Sequence, residues 1–334
     1  MIPVSKDTIV EDNMKKVSII IPAYNAGKFL TVMLDSIAAQ TYTNIEVIVA
    51  YDIKSTDNTL DILKSYKKIH TLIIDEAKDS SSGQARNRGF GLATGEYIIF
   101  LDADDKIIPT YIADLVNVFN KFPELNVVCG KHIPSSESEI DKHYNNAIES
   151  TGTVEIYTQS LALKHLMYEG PLVGGPWVWL VKRDYLVENE ICFPNYSHGD
   201  DTVWVFKLLL NSNNIGYYNK VGYIFIQHST SITNRISSPI DYWDKYEKHR
   251  LDISKMLEYQ NADIALDFQN LELRRLVRML TVLPYHDFQK ILEEKKIEKL
   301  YITKNDRIIS RISIITFNIY KYAYWRILNL KKLY

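Results

Sequence analysis

Three acidic side chains fall within four residues, Asp102-Ala103-Asp104-Asp105. Carboxylates this close repel one another, and a divalent cation neutralises them. Their hard oxygen atoms suit Mg2+ or Mn2+, ions that bridge to phosphates. The other reading is a solvated turn whose Asp side chains cap the next helix. A second acidic pair, Asp200-Asp201, follows Gly199 and precedes the apolar stretch Thr202–Leu210. Two acids there suit the positive end of a helix dipole. The charge on Asp200 also raises the proton affinity of Asp201, which makes a better base. In Gly174-Gly175-Pro176-Trp177-Val178-Trp179 the glycines permit close approach, and a tryptophan face stacks on a sugar ring. The same stretch also reads as a buried turn with core aromatics. His228 reads either as a partly buried, satisfied histidine or as a ligand.

Asp104 and Asp201 are 97 residues apart, so only a fold can bring them to one substrate. Val17–Ile21 is a β-branched run ended by Pro22, the pattern of a buried parallel strand. Phe29, Leu30, Met33, Leu34 and Ile37 recur at helical spacing. Glu46–Ala50 is a second strand, and Ser55-Thr56-Asp57-Asn58 caps a helix through Ile62 and Leu63. Thr71–Ile74 is a third strand, Gly83–Ala93 a helix and Tyr97–Leu101 a fourth strand, which runs into the acid cluster. This alternation implies an α/β fold with a mainly parallel sheet and helices on both faces. Such sheets bind ligands at the carboxyl ends of their strands. Further on, Pro109–Phe122 reads as a helix, Val127–Cys129 as a short strand, residues 131–158 as a polar loop or excursion and Tyr157–Tyr168 as a helix. From Ile240 the pattern is almost wholly helical, which puts a boundary near residue 236.

The ordered blocks resemble family 2 glycosyltransferases, which have the GT-A fold. Ile19-Ile20-Ile21-Pro22-Ala23-Tyr24-Asn25 is similar to that family's opening strand, and Leu34-Asp35-Ser36-Ile37 with Gln40-Thr41-Tyr42 to the segment after it. Ser55–Thr59, Ala85-Arg86-Asn87-Arg88-Gly89, Gly95–Asp105, Gly199-Asp200-Asp201 and Gln227-His228-Ser229-Thr230-Ser231-Ile232-Thr233 resemble its later blocks, in order. The resemblance spans roughly residues 15–235.

What the resemblance implies is an inverting transferase. It would move a sugar from a nucleotide-diphospho-sugar, a UDP-sugar foremost, to a hydroxyl of a glycan or lipid-linked oligosaccharide, as in cell-surface polysaccharide or capsule synthesis. Pro22, Ala23, Tyr24 and Asn25 would lie along the nucleotide, with Arg86 and Ala103 on the same side. Asp102 would contact the ribose or the metal. Asp104 would ligate Mn2+ or Mg2+, with His228 near the metal and the diphosphate. Asp201 would be the general base and Asp200 would stand in the family's usual Glu position. Gly175, Trp177 and His198 are the candidates for the acceptor cleft. One departure stands out: the family carries two Asp and a Gly before Ser-Thr-Asp, where this chain has Tyr51-Asp52-Ile53-Lys54. Ile53 occupies the position of the base-contacting Asp, and a short slip would let Asp52 replace it. Lys54 lacks the glycine's access to positive φ.

With 334 residues, 46% hydrophobic and 24% charged, the chain has the make-up of a soluble globular protein. Cys129 and Cys192 show no metal-ligand spacing and read as reduced thiols. No secretory signal pattern opens the sequence and no 18-residue apolar stretch occurs, so the expected location is cytoplasmic. The net charge of −2 argues against a nucleic-acid partner. It divides into −7 over residues 1–235 and +5 over residues 236–334. The organisation read from this is a loose leader over 1–14, a GT-A catalytic domain over 15–235 and a C-terminal helical region over 236–334. Within the catalytic domain, 15–105 is the nucleotide-sugar half and 106–235 the acceptor half. Residues 304–334 carry seven basic side chains against Asp306, interleaved with Ile, Tyr and Trp325. That pattern reads either as a peripheral anchor on an anionic membrane or as a helix packed on the core. A metal-dependent phospho- or nucleotidyltransferase would also explain an acid cluster at a strand end, though not the downstream blocks. A non-catalytic sugar-binding relative is the non-enzyme alternative.

Overall fold

The structure, a computed structural model, describes residues 2–3, 14–79, 81–167, 170–195, 199–228, 249, 251–258, 264 and 268. In chain order its elements are β1 (Ile2–Pro3), β2 (Val17–Ala23), α1 (Leu30–Ala38), β3 (Ile45–Asp52), α2 (Thr59–Ser65), β4 (Leu72–Ala77), α3 (Ser82–Leu92), β5 (Tyr97–Phe100) and β6 (Lys106–Ile107). There follow α4 (Tyr111–Lys121), β7 (Val127–Ser136), α5 (Ile140–Glu149), β8 (Thr153–Thr158), α6 (Gln159–Met167), β9 (Trp179–Lys182), α7 (Arg183–Glu188), α8 (Asp200–Leu210) and β10 (Asn214–Gln227).

The strands form one sheet in the order β1-β8-β10-β7-β9-β5-β2-β3-β4, with β6 pairing on β10. β2 is flanked in parallel by β3 and β5, so that Ile19 lies opposite Val47 on one side and Ile99 on the other. Covered on both faces, Ile19, Ile20 and Ile21 are fully buried. Each such side chain contributes about 1.5–3 kcal/mol of hydrophobic stabilisation. This explains why the strand is an unbroken apolar run rather than an alternating one.

The parallel order expected for the first hundred residues is present. Beyond β5 the sheet turns: β9 pairs antiparallel with both β5 and β7, and β8 antiparallel with β10, while β7 and β10 run parallel. The whole sheet is therefore mixed, parallel on the side of β2 and largely antiparallel on the other. The expected loop over 131–158 is a correction. β7 extends from Val127 to Ser136, α5 follows, and β8 occupies Thr153–Thr158. Tyr157 accordingly belongs to a strand, and the helix expected from that residue begins at Gln159. These elements are polar because they are half-covered. Of α5 only Ala147 is buried, and β8 buries Val154 and Tyr157 but exposes Ile156.

In the leader, Ile2–Pro3 pairs antiparallel with Thr153–Val154 at the sheet edge, and residues 4–13 lie outside the described residues. The basic tail over 304–334 and nearly all of the C-terminal region also lie outside them. Among the described residues no helix is long and apolar enough to cross a membrane.

Candidate active site

The carboxyl ends of β2, β3 and β5 lie on one edge of the sheet, and each carries residues singled out above. β2 delivers Pro22 and the buried Ala23, followed by Tyr24, which is 53% exposed and free to meet a ligand. Asn25 turns the chain with φ 48°. Its side chain works inside the protein: Oδ1 accepts the Thr56 N–H at 2.8 Å, and its own N–H donates to Ser55 Oγ at 3.1 Å. Gly27 N–H donates to Asp57 Oδ2 at 2.8 Å and Ala26 N–H to Thr59 Oγ1 at 2.9 Å. The Ser-Thr-Asp-Asn-Thr block thus holds the loop that follows β2.

At the end of β3, Asp52 is buried and its Oδ1 accepts the Lys54 N–H at 2.9 Å. The Lys54 ammonium lies 3.3 Å from Asp52 Oδ2 and also donates to the Asp79 carbonyl. Ile53 points outward, 54% exposed. The lysine at the position of a family glycine therefore folds back onto Asp52 at the end of β3.

The three acids after β5 have three different partners. Asp102 Oδ1 accepts from Arg86 Nη2 at 2.7 Å. Asp104 Oδ2 lies 2.7 Å from His228 Nε2. Asp105 is fully buried and accepts the Ile226 N–H at 2.7 Å and the Tyr223 hydroxyl. Burial and the charge of Asp102 push the Asp104 carboxyl up, and the adjacent His228 opposes that shift. Burial pushes Asp105 well above the usual range, with Asp104 and Asp102 adding to it. The His228 ring stacks on Phe29 with centroids 4.4 Å apart, which fixes its plane. Ala103 is buried between the two acids that flank it.

Arg86 reaches across the site. From the middle of α3 it pairs with Asp102, and its other terminal nitrogen lies 3.8 Å from Asp200 Oδ2. Its side chain is 6% exposed and its Nε has no hydrogen-bond partner among the described residues. Asp200 also sits against the start of α3. Ser82 Oγ is 3.5 Å from Oδ2, and a Cβ on Gly83 would lie 2.4 Å from that oxygen. Only glycine lets the carboxylate approach so closely.

Asp200 and Asp201 open α8 behind Gly199, whose φ of 76° suits glycine alone. Asp200 is buried, whereas Asp201 keeps partial exposure. Burial and the neighbouring Asp200 charge raise the Asp201 carboxyl to about 6, against an opposing pull from Arg86. That leaves it ionised at neutral pH yet more basic than an ordinary aspartate.

On the other side, Tyr223, Phe225 and His132 share one face of the β7–β10 pair, because Tyr223 is in register with His132 and Phe225 is two residues on. Trp177 stacks on Tyr223 at 4.6 Å and on Phe225 at 5.8 Å, and meets His132 edge-on at 4.8 Å. A Cβ on Gly175 would lie 2.4 Å from Trp177 Nε1, so the glycine admits the indole edge. Trp177 keeps partial exposure, while Trp179 is fully buried. His198 lies outside the described residues.

Among the described residues no three His, Cys, Asp or Glu side chains converge on one point. The donors that do meet are the Asp104 carboxylate and the His228 imidazole. This pair fits a divalent cation completed by substrate phosphates, the usual arrangement for Mg2+, and does not fit a closed structural site. Asp102, engaged by Arg86, offers its second oxygen only.

Asp105, Tyr223, Phe29, Ser82, Gly83, His132 and Phe225 join the site without a distinct role being legible in the sequence. Asp105 was visible as a member of the acid cluster, and Phe29 read as a core residue of α1. Nothing local marked the others.

Comparison with known proteins gives concordant findings. The profile described as "Glycosyl transferase family 2" matches residues 18–186. The uncharacterised glycosyltransferase YibD of Escherichia coli K12 is 30% identical over 274 residues, 76% of this chain and 73% of that one. The poly(ribitol-phosphate) beta-N-acetylglucosaminyltransferase TarS of Staphylococcus aureus is 26% identical over 269 residues, 75% of this chain but 42% of that protein's length. The crystal structure of S. aureus TarS 1-349 in complex with UDP-GlcNAc superposes with a TM-score of 0.65 at 22% identity. It covers 93% of this chain and 91% of that one, a likeness of fold.

Proposed function

This chain belongs to glycosyl transferase family 2, and from that membership we propose that it is an inverting enzyme. It moves a sugar from a UDP-sugar to a hydroxyl of a glycan or lipid-linked oligosaccharide in surface-polysaccharide synthesis. Support for the donor comes from TarS, whose structure was solved with UDP-GlcNAc, and support for a polymeric acceptor from its poly(ribitol-phosphate) name.

The observation that carries the reading is Asp201, a partly exposed carboxylate with its pKa raised to about 6, tied through Asp200 and Arg86 to the acid loop at the end of β5. Asp201 removes the proton of the acceptor hydroxyl as that oxygen attacks the anomeric carbon from the face opposite the diphosphate. General-base help of this kind is worth roughly 10²–10⁴ in rate. Asp200 stays buried, and its charge keeps Asp201 basic. Arg86 places its positive charge between Asp102 and Asp200, beside the polyanionic donor. Asp104 and His228 would hold a cation, Mn2+ or Mg2+, which when bound would supply positive charge against the departing diphosphate. Tyr24, with Pro22, Ala23 and Asp52, borders the nucleotide, and Trp177 offers its outer face to the acceptor sugar.

The test is release of UDP from a panel of UDP-sugars with Mn2+ and no added acceptor. The expected result is slow hydrolysis of one donor, lost in Asp104→Ala together with Mn2+-dependent UDP binding by calorimetry. A variant with unchanged Mn2+-dependent affinity would remove Asp104 from the donor site.

A further inference from the structure

We propose that Asp105 and Tyr223 form a buried clamp that sets the spacing of Asp104 and His228, making both of them positioning residues for the cation end of the site. The inference rests on the cation-binding reading of Asp104 and His228 given above.

The argument is one of connectivity. Asp105 follows Asp104 directly, and Ile226 precedes His228 by two residues. Asp105 Oδ1 accepts the Ile226 N–H at 2.7 Å, while Asp104 Oδ2 lies 2.7 Å from His228 Nε2. These two contacts close a short ring between segments more than 120 residues apart. Moving Asp105 relative to β10 would open or shear the pair of donors. The second Asp105 oxygen accepts the Tyr223 hydroxyl, so both oxygens of this fully buried carboxylate have protein partners. Asp105 is therefore not placed to ligate an ion itself, although it stands in the acid cluster.

Tyr223 extends the clamp in two directions. Its oxygen accepts the Asp102 N–H at 3.4 Å, which holds the start of the acid loop as well as its end. Its ring carries Trp177 at 4.6 Å. The register reinforces this, because β6 pairs Ile107 with Tyr223 and Lys106 with Ile224 immediately after the acids. One tyrosine thus touches the donor loop through its hydroxyl and the acceptor shelf through its ring. Groups that orient metal ligands from outside typically matter by about 10–100-fold in metal affinity when they are removed.

Tyr223→Phe keeps the ring and its stacking on Trp177 and removes only the hydroxyl. Asp105→Asn keeps the shape and an acceptor for Ile226. The control is Tyr185→Phe, another buried tyrosine, whose hydroxyl bonds to the Leu208 carbonyl and Ser212 at 2.8 Å at the C-terminal end of α8. Free Mn2+ is followed by electron paramagnetic resonance during titration of full-length protein in the presence of UDP, with melting temperatures measured alongside. The clamp predicts Mn2+ affinity reduced by about tenfold or more in Tyr223→Phe and Asp105→Asn, and unchanged in Tyr185→Phe, whatever the losses in melting temperature. Folded Tyr223→Phe protein with wild-type Mn2+ affinity would overturn the clamp and leave the cation-site reading standing. Wild-type protein that takes up no Mn2+ with UDP would overturn both.

Discussion

The Arg86 guanidinium lies 3.8 Å from the Asp200 carboxylate, both side chains buried, while its other terminal nitrogen holds Asp102 at 2.7 Å. One cation therefore spans the acid loop behind β5 and the acidic start of α8. The two acidic motifs are joined by a side chain, and the distance between them does not depend on the intervening loops alone.

Replacing that cation exposes what it balances. In Arg86→Met the buried Asp200 and the partly exposed Asp102 lose their partner, and breaking a buried pair such as Arg86–Asp200 costs about 3–5 kcal/mol. Arg86 holds the Asp201 pKa down, so its loss raises that pKa further. The acid limb of the pH–rate profile should move above 6 in the folded variant. Chemical denaturation and a pH series on the same preparation check both parts.

Asp201 must be ionised to accept a proton. Its pKa of about 6 places the loss of activity on the acid side: turnover should fall as pH drops through 6 and be flat above it as far as this group is concerned. Asp201→Asn removes the base, so turnover should drop by roughly 10²-fold or more, with UDP and Mn2+ binding retained and the acid limb gone. Near-normal turnover would move the role of base to another group.

Trp177 tests the division between donor and acceptor sides. Its inner face packs on Tyr223 and Phe225, so Trp177→Ala removes a ring from the proposed acceptor side without touching the acid loop directly. A raised acceptor KM with unchanged donor hydrolysis is the expected outcome. Aromatic contacts of this kind are worth about 0.5–1.5 kcal/mol, which corresponds to a change of several-fold.

Residues 304–334 carry seven basic side chains interleaved with Ile, Tyr and Trp325. Each Lys or Arg near an anionic leaflet contributes about 1 kcal/mol, screened by salt. Full-length protein should sediment with anionic vesicles at low salt and be released at high salt, and deletion of 304–334 should abolish the binding. Full-length protein that ignores such vesicles, with a deletion that lowers the melting temperature sharply, would mean that the segment packs on the protein.

The first half of the fold was legible because buried parallel strands declare themselves: Ile19-Ile20-Ile21 can sit nowhere else. The positions of the acids at the ends of strands followed from that. The region 131–158 was not legible. β7, α5 and β8 are half-exposed, and β7 and β8 owe their pairing to β10, more than 55 residues downstream of β8. The acid cluster shows a different limit. Asp102, Asp104 and Asp105 look alike in sequence, yet one pairs with a buried arginine, one meets a histidine and one serves as a structural acceptor. Residues 16 to 124 positions away decide those roles, and no local pattern records them. The Lys54 substitution was visible as a departure, but its return to Asp52 required the loop geometry.

The central claim is inversion at the sugar carbon with Asp201 as base, and the stereochemistry of the released sugar tests it most directly. Proton NMR recorded in real time during Mn2+-dependent cleavage of UDP-GlcNAc, or of whichever UDP-sugar is hydrolysed, reports the first anomer formed. From an α-linked donor the account predicts the β anomer initially, with the α form growing in only by mutarotation, and no signal from Asp201→Asn on the same timescale. An initial α anomer would contradict it.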